Sequence, residues 1–236
     1  MLWVIPMNRT LEAIEIFSGL SAEERARIAA LCQWRVFEKD QYILDKDDQE
    51  TDVYFITEGS VRILNYSLAG REVSYADIGA GACFGELAAL DKQPRSAAVI
   101  AKTTTQVAVL SAAQFEGILR TYPSIAMALL KKLASFLRFA SLRIFEMSTQ
   151  QSQNRVAIEL LRLMEAAGEK SHGDDVSVIL SPAPKQMELA NRIGTTRETV
   201  ARAFRKLTEE GIVARIPGGL KILDPDALHA LAETIE

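Results

Sequence analysis

Cysteine and histidine are both scarce: the 236 residues hold only Cys32, Cys83, His172 and His229. Two cysteines make no disulfide framework. They also fall short of the four thiolates an iron–sulfur cluster usually takes. Two reduced core thiols are the expectation. The histidines are isolated, and no group of residues has metal-ligand spacing, so no metal is predicted. Neither histidine falls in the β-prone part of the chain, which argues against a haem ligand. There is no nucleophile–base pair and no dinucleotide-binding glycine fingerprint, so neither catalysis nor a covalently held cofactor is expected. No apolar run approaches the roughly 18 residues that suggest a membrane span. The opening "MLWVIPMNRTLEAIEIF" lacks a basic stretch before a long apolar region and a small-residue cleavage site. No secretory leader, no membrane partner and a cytoplasmic location are therefore expected.

What is present fits a globular protein. Hydrophobic residues make up 48% and charged residues 25%, enough for a real core in one or two domains. The net charge of −4 is unevenly spread. Between Ser181 and Leu223 eight Lys/Arg face four Glu. That segment is +4 and the remainder −8, a basic end on an acidic body, as suits a local polyanion-binding surface.

Residues 10–34 read as short helices. Ser21 is a plausible N-cap of "SAEERARIAALC". Residues 35–110 change character: "DVYFI", "SVRIL", "EVSYADI", "SAAVIAKT" and "QVAVL" are short β-prone runs, separated by Glu58-Gly59, Ala69-Gly70 and Gly79 with Gly81. That spacing predicts an antiparallel β sandwich or barrel. From Tyr122 the period becomes helical. Leu130, Leu133, Leu137, Ala140, Ile144 and Met147 recur at alternating intervals of 3 and 4, a seam that favours dimerisation over packing within one domain. A hinge is expected near Thr149–Asn154. The resulting domains are 1–121, a β-roll with N-terminal helices; 122–150, a dimerisation helix and hinge; and 151–236, a second folded domain.

That second domain opens with an amphipathic helix over 155–167, then a loop "GEKSHGDD" and a strand "VSVIL". A helix pair turning at Gly194 and a hairpin around Pro217-Gly218-Gly219 follow. In the second helix of the pair, at about 100° per residue, Val200, Phe204 and Leu207 share one face. Arg197, Glu198, Arg202 and Arg205 share the other. A solvated charged face is the plain reading. The neighbouring helix, glycine turn and hairpin instead describe a winged helix-turn-helix, which sets such a face into the DNA major groove. Arg can donate twice to guanine and Glu can accept from cytosine. Lys185, Gln186, Thr195 and Thr196 suit phosphates. Thr195 and Glu198 also have capping-box spacing. Capping is expected in the free protein and base reading in the DNA complex.

The stretch "CFGELAALDKQPRSAAV" places Glu86 and Arg95 among small, apolar residues. Gly85 allows close backbone approach. A short helix at "ELAAL" aims free N–H groups at an anion, and Arg95 offers a fixed two-pronged donor. Together they suit a sugar phosphate ester, with Glu86 accepting from a ribose hydroxyl. On residue types alone, Glu86 and Arg95 simply pairing with each other is equally open.

"FGELAALDKQPRSAAVIAKT" resembles the phosphate-binding cassette of cyclic-nucleotide-binding domains. "RETVAR", Arg197–Arg202, resembles the recognition helix of the catabolite-activator (cyclic-AMP receptor) branch of the CRP/FNR regulators. The resemblance spans residues 14–223. It implies an α+β chain: an N-terminal cyclic-nucleotide-binding β-roll (jelly-roll-like), a long dimerisation helix and a C-terminal winged helix-turn-helix. It implies that Gly85, Glu86 and Leu87 line the ligand, that Arg95, Ser96 and Ala97 surround the cyclic phosphate, and that the long helix supplies base contacts. Ala140 and Ser141 fall where cyclic-AMP receptors often have Thr-Ser, so one hydroxyl is missing. Cyclic AMP is the leading ligand. Cyclic GMP, both nucleotides, or a different or no effector are the alternatives. The implied target is double-stranded DNA carrying a TGTGA-like inverted repeat, read by a homodimer through Arg197, Glu198 and Arg202. A contact with RNA polymerase is a further partner left open.

Overall fold

The computed structural model describes residues 9–67, 70, 72–167 and 177–233. The chain separates into two compact units, Met1–Phe136 and Leu137–Glu236. The expected loop at 168–175, with His172, lies outside the described residues.

The first unit is β-rich. Its strands are β1 (Gln33–Phe37), β2 (Tyr42–Leu44), β3 (Val53–Glu58), β4 (Ser60–Tyr66), β5 (Glu72–Gly79), β6 (Cys83–Phe84), β7 (Ala98–Ala101) and β8 (Thr105–Leu110). They form two four-stranded antiparallel sheets, in the orders β1-β8-β3-β6 and β2-β7-β4-β5. Strand β3 is buried on both faces. Tyr54 and Ile56 join Val61 and Val99 of the other sheet in one core. Val53 and Phe55 turn to a second core with Phe17, Phe115 and Ile125. Strand β8 divides the same way, with Val107 and Val109 on one side and Ala108 and Leu110 on the other. Period-2 side chains with both faces covered explain why these two strands read as unbroken apolar runs.

Helices supply that second covering layer. Helix α1 (Ala22–Ala29) is closed by the reciprocal Ser21–Glu24 capping box. Helix α2 (Glu86–Asp91) follows β6 directly, and α3 (Ala112–Thr121) leads into α4 (Pro123–Thr149). The boundary between the units falls inside α4, after Phe136. Along α4, Leu130, Leu137, Ile144 and Met147 are between 57% and 67% exposed. Leu133 packs on the first unit's core, and Ala140 is half-buried.

The second unit contains α5 (Ser152–Ala167), β9 (Val178–Leu180), α6 (Gln186–Ile193), α7 (Arg197–Glu209), β10 (Val213–Ile216), β11 (Gly219–Ile222) and α8 (Pro225–Glu233). The three strands form one antiparallel sheet, β10-β11-β9. Val156, Leu160, Leu189, Val200, Phe204 and Leu228 belong to its core. Gly194 ends α6 at φ 65°, a left-handed C-cap. The α6–turn–α7–hairpin order is a winged helix-turn-helix. The whole is an α+β chain with a β-rich N-terminal domain, helices and a C-terminal helix-turn-helix domain.

Candidate ligand cavity and nucleic-acid interface

The turn from β6 into α2 builds the first site. Gly85 stands as N-cap of α2 with φ 81°. A Cβ there would lie 2.7 Å from Arg95 Nη1 and 2.8 Å from the Asp52 carbonyl oxygen, so both the conformation and the space require glycine. Arg95 is only 2% exposed. Its Nη1 donates to the Gly85 carbonyl at 3.0 Å and its Nη2 to the Asp52 carbonyl at 2.8 Å. Its backbone is pinned as well: the Arg95 N–H donates to Asp48 O, and Arg95 O accepts from Asp47 N. The buried Nε has no hydrogen-bond partner. Burial pushes the guanidinium below its ordinary pKa, with Tyr54, Glu50, Asp52 and Asp48 opposing.

Among the described residues, no carboxylate lies within ion-pair distance of Arg95. Glu86, buried at 8% exposure, pairs instead with Lys132 of α4, whose Nζ is 3.0 Å from Oε1. The mutual Glu86–Arg95 pair is thereby ruled out in this conformation. Burial would lower the Lys132 pKa, but Cys83 and Glu86 outweigh it and hold the ammonium above its usual value. Cys83 is raised to about 11 by burial, with Lys132 opposing.

A cavity of about 440 Å³ opens on these groups, within the size range of small-molecule sites. Gly85, Glu86, Leu87, Arg95, Ser96 and Ala97 all line it. Sequence reasoning missed Tyr75, Lys132 and Phe136, which line it too. Lys132 carried a readable signal: it stands three residues after buried Leu129, at core-facing helical spacing. Ala140 and Ser141 are not among the lining residues, and both belong to the second unit. The donor set fits a singly charged phosphate ester of a sugar. It combines an orphaned guanidinium N–H for the anion, a carboxylate for a hydroxyl, and apolar walls from Leu44, Ile63 and Val99 for the rest.

The second site is the face of α7. Val200, Ala203, Phe204 and Leu207 are buried, whereas Arg197, Glu198, Arg202 and Arg205 are exposed. Lys185, the N-cap of α6, and Thr196 are exposed, Gln186 is half-buried, and Thr195 is buried. The expected Thr195–Glu198 capping box is not formed. Thr196 is the N-cap, and its hydroxyl accepts from the Thr199 N–H at 3.2 Å. The helix starts one residue later than that box requires. Glu198 therefore sits in the first turn, where its own N–H and the Thr196 hydroxyl hold its carboxyl below the usual range.

A β-roll with a charged cavity, followed by a winged helix-turn-helix, defines a ligand-sensing DNA-binding regulator. Comparison with known proteins agrees. Residues 34–122 match the Cyclic nucleotide-binding domain family and residues 154–231 the Crp-like helix-turn-helix domain. The chain is 32% identical over 219 residues to the Cyclic AMP receptor protein of Thermus thermophilus, covering 92% of this chain and 96% of that protein. The crystal structure of Thermus thermophilus Catabolite Activator Protein aligns with TM-score 0.54 at 31% identity, over 92% of this chain and 98% of that one. The c-di-GMP responsive regulator CLP of Xanthomonas campestris shares the fold, with TM-score 0.73 at 20% identity over 86% of this chain and all of that one. The chain belongs to the CRP/FNR family of transcription regulators, as a cyclic-nucleotide-binding, DNA-binding member. Among the described residues, no helix is long and apolar enough to cross a membrane.

Proposed function

We propose that the protein is a homodimeric transcription regulator gated by a cyclic mononucleotide, with cyclic AMP favoured, acting in the cytoplasm on TGTGA-like inverted repeats. The observation that carries this reading is Arg95: a buried guanidinium tied to two carbonyls, with a free Nε and no carboxylate partner. A buried cation without a counter-ion is costly, and an anionic ligand removes that cost. When bound, the nucleotide supplies one phosphodiester charge and a ribose hydroxyl. Arg95 and Ser96 hold the phosphate, Glu86 accepts from the ribose, and the backbone at Gly85 and Leu87 shapes the floor.

Dimerisation is assigned to the exposed apolar side chains of α4, with Leu130, Leu137, Ile144 and Met147 in the seam. Leu133 and Ala140 flank it. The working domain division is 1–121, 122–150 and 151–236. Arg197, Glu198 and Arg202 read base edges. Thr196 does the capping, so Glu198 is available for that task. Lys185, Gln186, Thr195, Thr196 and Arg205 serve the phosphates. Two-fold symmetry then sets half-sites about 34 Å apart, one turn of the duplex. The effector acts only through a difference in affinity between two arrangements of the dimer.

Cyclic GMP is the second reading. Ala140 replaces the hydroxyl-bearing residue often found in cyclic-AMP receptors, which removes one recognition group for the adenine amino group. Mobility-shift titration of an inverted-repeat duplex with each nucleotide decides between them. DNA binding at micromolar cyclic AMP supports the first reading and response to cyclic GMP alone supports the second. Binding that ignores both nucleotides overturns the gating proposal.

A further inference from the structure

The cavity holds two cations in different states. Arg95 has N–H groups to spare. Lys132 has none: its three donors point to Cys83 O at 2.5 Å, Glu86 Oε1 at 3.0 Å and Cys83 Sγ at 3.2 Å. An ammonium with all three protons committed cannot also serve as a phosphate ligand without breaking a bond. Its partner is asymmetric too. Among the described residues, Glu86 accepts from Lys132 through Oε1, and Oε2 accepts no hydrogen bond. Glu86 is the first residue of α2 and follows a left-handed glycine, so its backbone direction is fixed while its side chain still has rotamers to choose from. Lys132 removes that choice.

Resting on the reading of this cavity as a cyclic-nucleotide site, we propose that Lys132 is the positioning residue for sugar recognition. It anchors Oε1 of Glu86 and so presents Oε2 to the ribose 2′-hydroxyl. The protein's preference for ribose over 2′-deoxyribose is thereby set from α4, 46 residues away in sequence. A hydrogen bond to an oriented carboxylate discriminates well, because its geometry is fixed before the ligand arrives. A carboxylate free to rotate loses that preorganisation. It also stands in the cavity with the ligand's phosphate and without its counter-charge.

Calorimetry of the full chain with cyclic AMP and 2′-deoxy cyclic AMP tests this, using cyclic GMP and its deoxy form if that is the nucleotide bound. The wild type is expected to favour the ribonucleotide by about tenfold, as for one charge-assisted hydrogen bond. In Lys132→Met that ratio falls to within about threefold of unity. Lys132→Arg, which keeps a charged donor, retains most of it. Lys132→Leu, smaller and without a donor, repeats the loss if the Met variant folds poorly. An unchanged ratio in Lys132→Met or Lys132→Leu overturns the inference, because a merely structural lysine would weaken both ligands equally. A wild type that binds both sugars equally also overturns it while leaving the nucleotide site intact. A wild type that binds no cyclic nucleotide overturns the site reading itself.

Discussion

Arginines at two interior sites, one in each unit, are partnered in opposite ways. In the first, buried Arg95 donates to carbonyls only and sits 5.8 Å from the Tyr54 ring, with no ion-pair carboxylate. In the second, Arg143, Arg162 and Arg192 are shared among Glu146, Glu159 and Glu188. Glu146 and Glu159 are 6% and 5% exposed. Glu159 lies within 3.4 Å of Arg143, 3.3 Å of Arg192 and 3.6 Å of Arg162. Phe139 adds a ring against which Arg143 and Arg162 sit at 5.8 and 5.6 Å. Arg143 also donates to the Arg192 carbonyl, near the end of α6. Three cations and three carboxylates balance there, so the network needs no ligand and ties α4, α5 and α6 together. The imbalance at Arg95 leaves a cation open to an anion, whereas the balance around Glu159 makes a joint. Buried charge signals function only after its partners have been counted.

The comparison is broken most forcefully at Glu159. Glu159→Ala leaves three arginines short of a partner and is expected to cost about 3–5 kcal/mol, read by chemical denaturation; a change under 1 kcal/mol would mean that the network is ornamental. Next comes Arg95→Ala. Nucleotide affinity should fall at least a hundredfold, about 3 kcal/mol, while the fold loses less than in the Glu159 variant. Retained affinity in calorimetry removes Arg95 from the site.

Asp77 offers an intermediate case, a paired carboxylate at the edge of the first unit. Burial pushes its pKa up, but bonds from Arg62 at 2.8 Å and Lys102 at 2.8 Å outweigh that and bring it from 3.8 to about 2. A depressed carboxylate stabilises the fold above its unfolded value. That contribution, about 2 kcal/mol, should fade as pH falls from about 4 towards 2. Asp77→Asn should lack this segment of the acid-denaturation curve, and an identical curve refutes the pairing. The smallest effect is at the recognition helix. Thr196→Ala removes the N-cap and should cost about 1 kcal/mol, whereas Glu198→Ala should shift the melting temperature less. The reverse ranking would restore the capping box that the sequence suggested.

Much of this was legible beforehand. The five β-prone runs became strands: β3 and β8, covered on both faces, read as apolar stretches, and β4, β5 and β7 were marked by β-branched and aromatic residues between turn signals. The cassette was readable because Gly85, Glu86 and Arg95 lie close in sequence and act locally. Strands β1, β2 and β6 were not read: β2 and β6 are only two or three residues long and β1 is largely exposed, so no run of apolar residues announces them. Helix α8 was missed although Pro225 stands at its first position and the Asp224 carboxylate accepts from the Ala227 N–H, a start signal overlooked after the hairpin. The Lys132–Glu86 pair was out of reach for a different reason. Partners 46 residues apart are joined only by the fold, and nothing in either local sequence names the other.

Both thiols carry a practical consequence. Burial raises Cys32 to about 12 and Cys83 to about 11, so at neutral pH almost no thiolate exists for an alkylating probe to attack. A cysteine introduced at exposed Leu137 or Ile144 would take spin or fluorescent labels ahead of the native thiols, which lets the proposed pairing of two chains be tested by distance as effector is added, without first rebuilding the cavity wall.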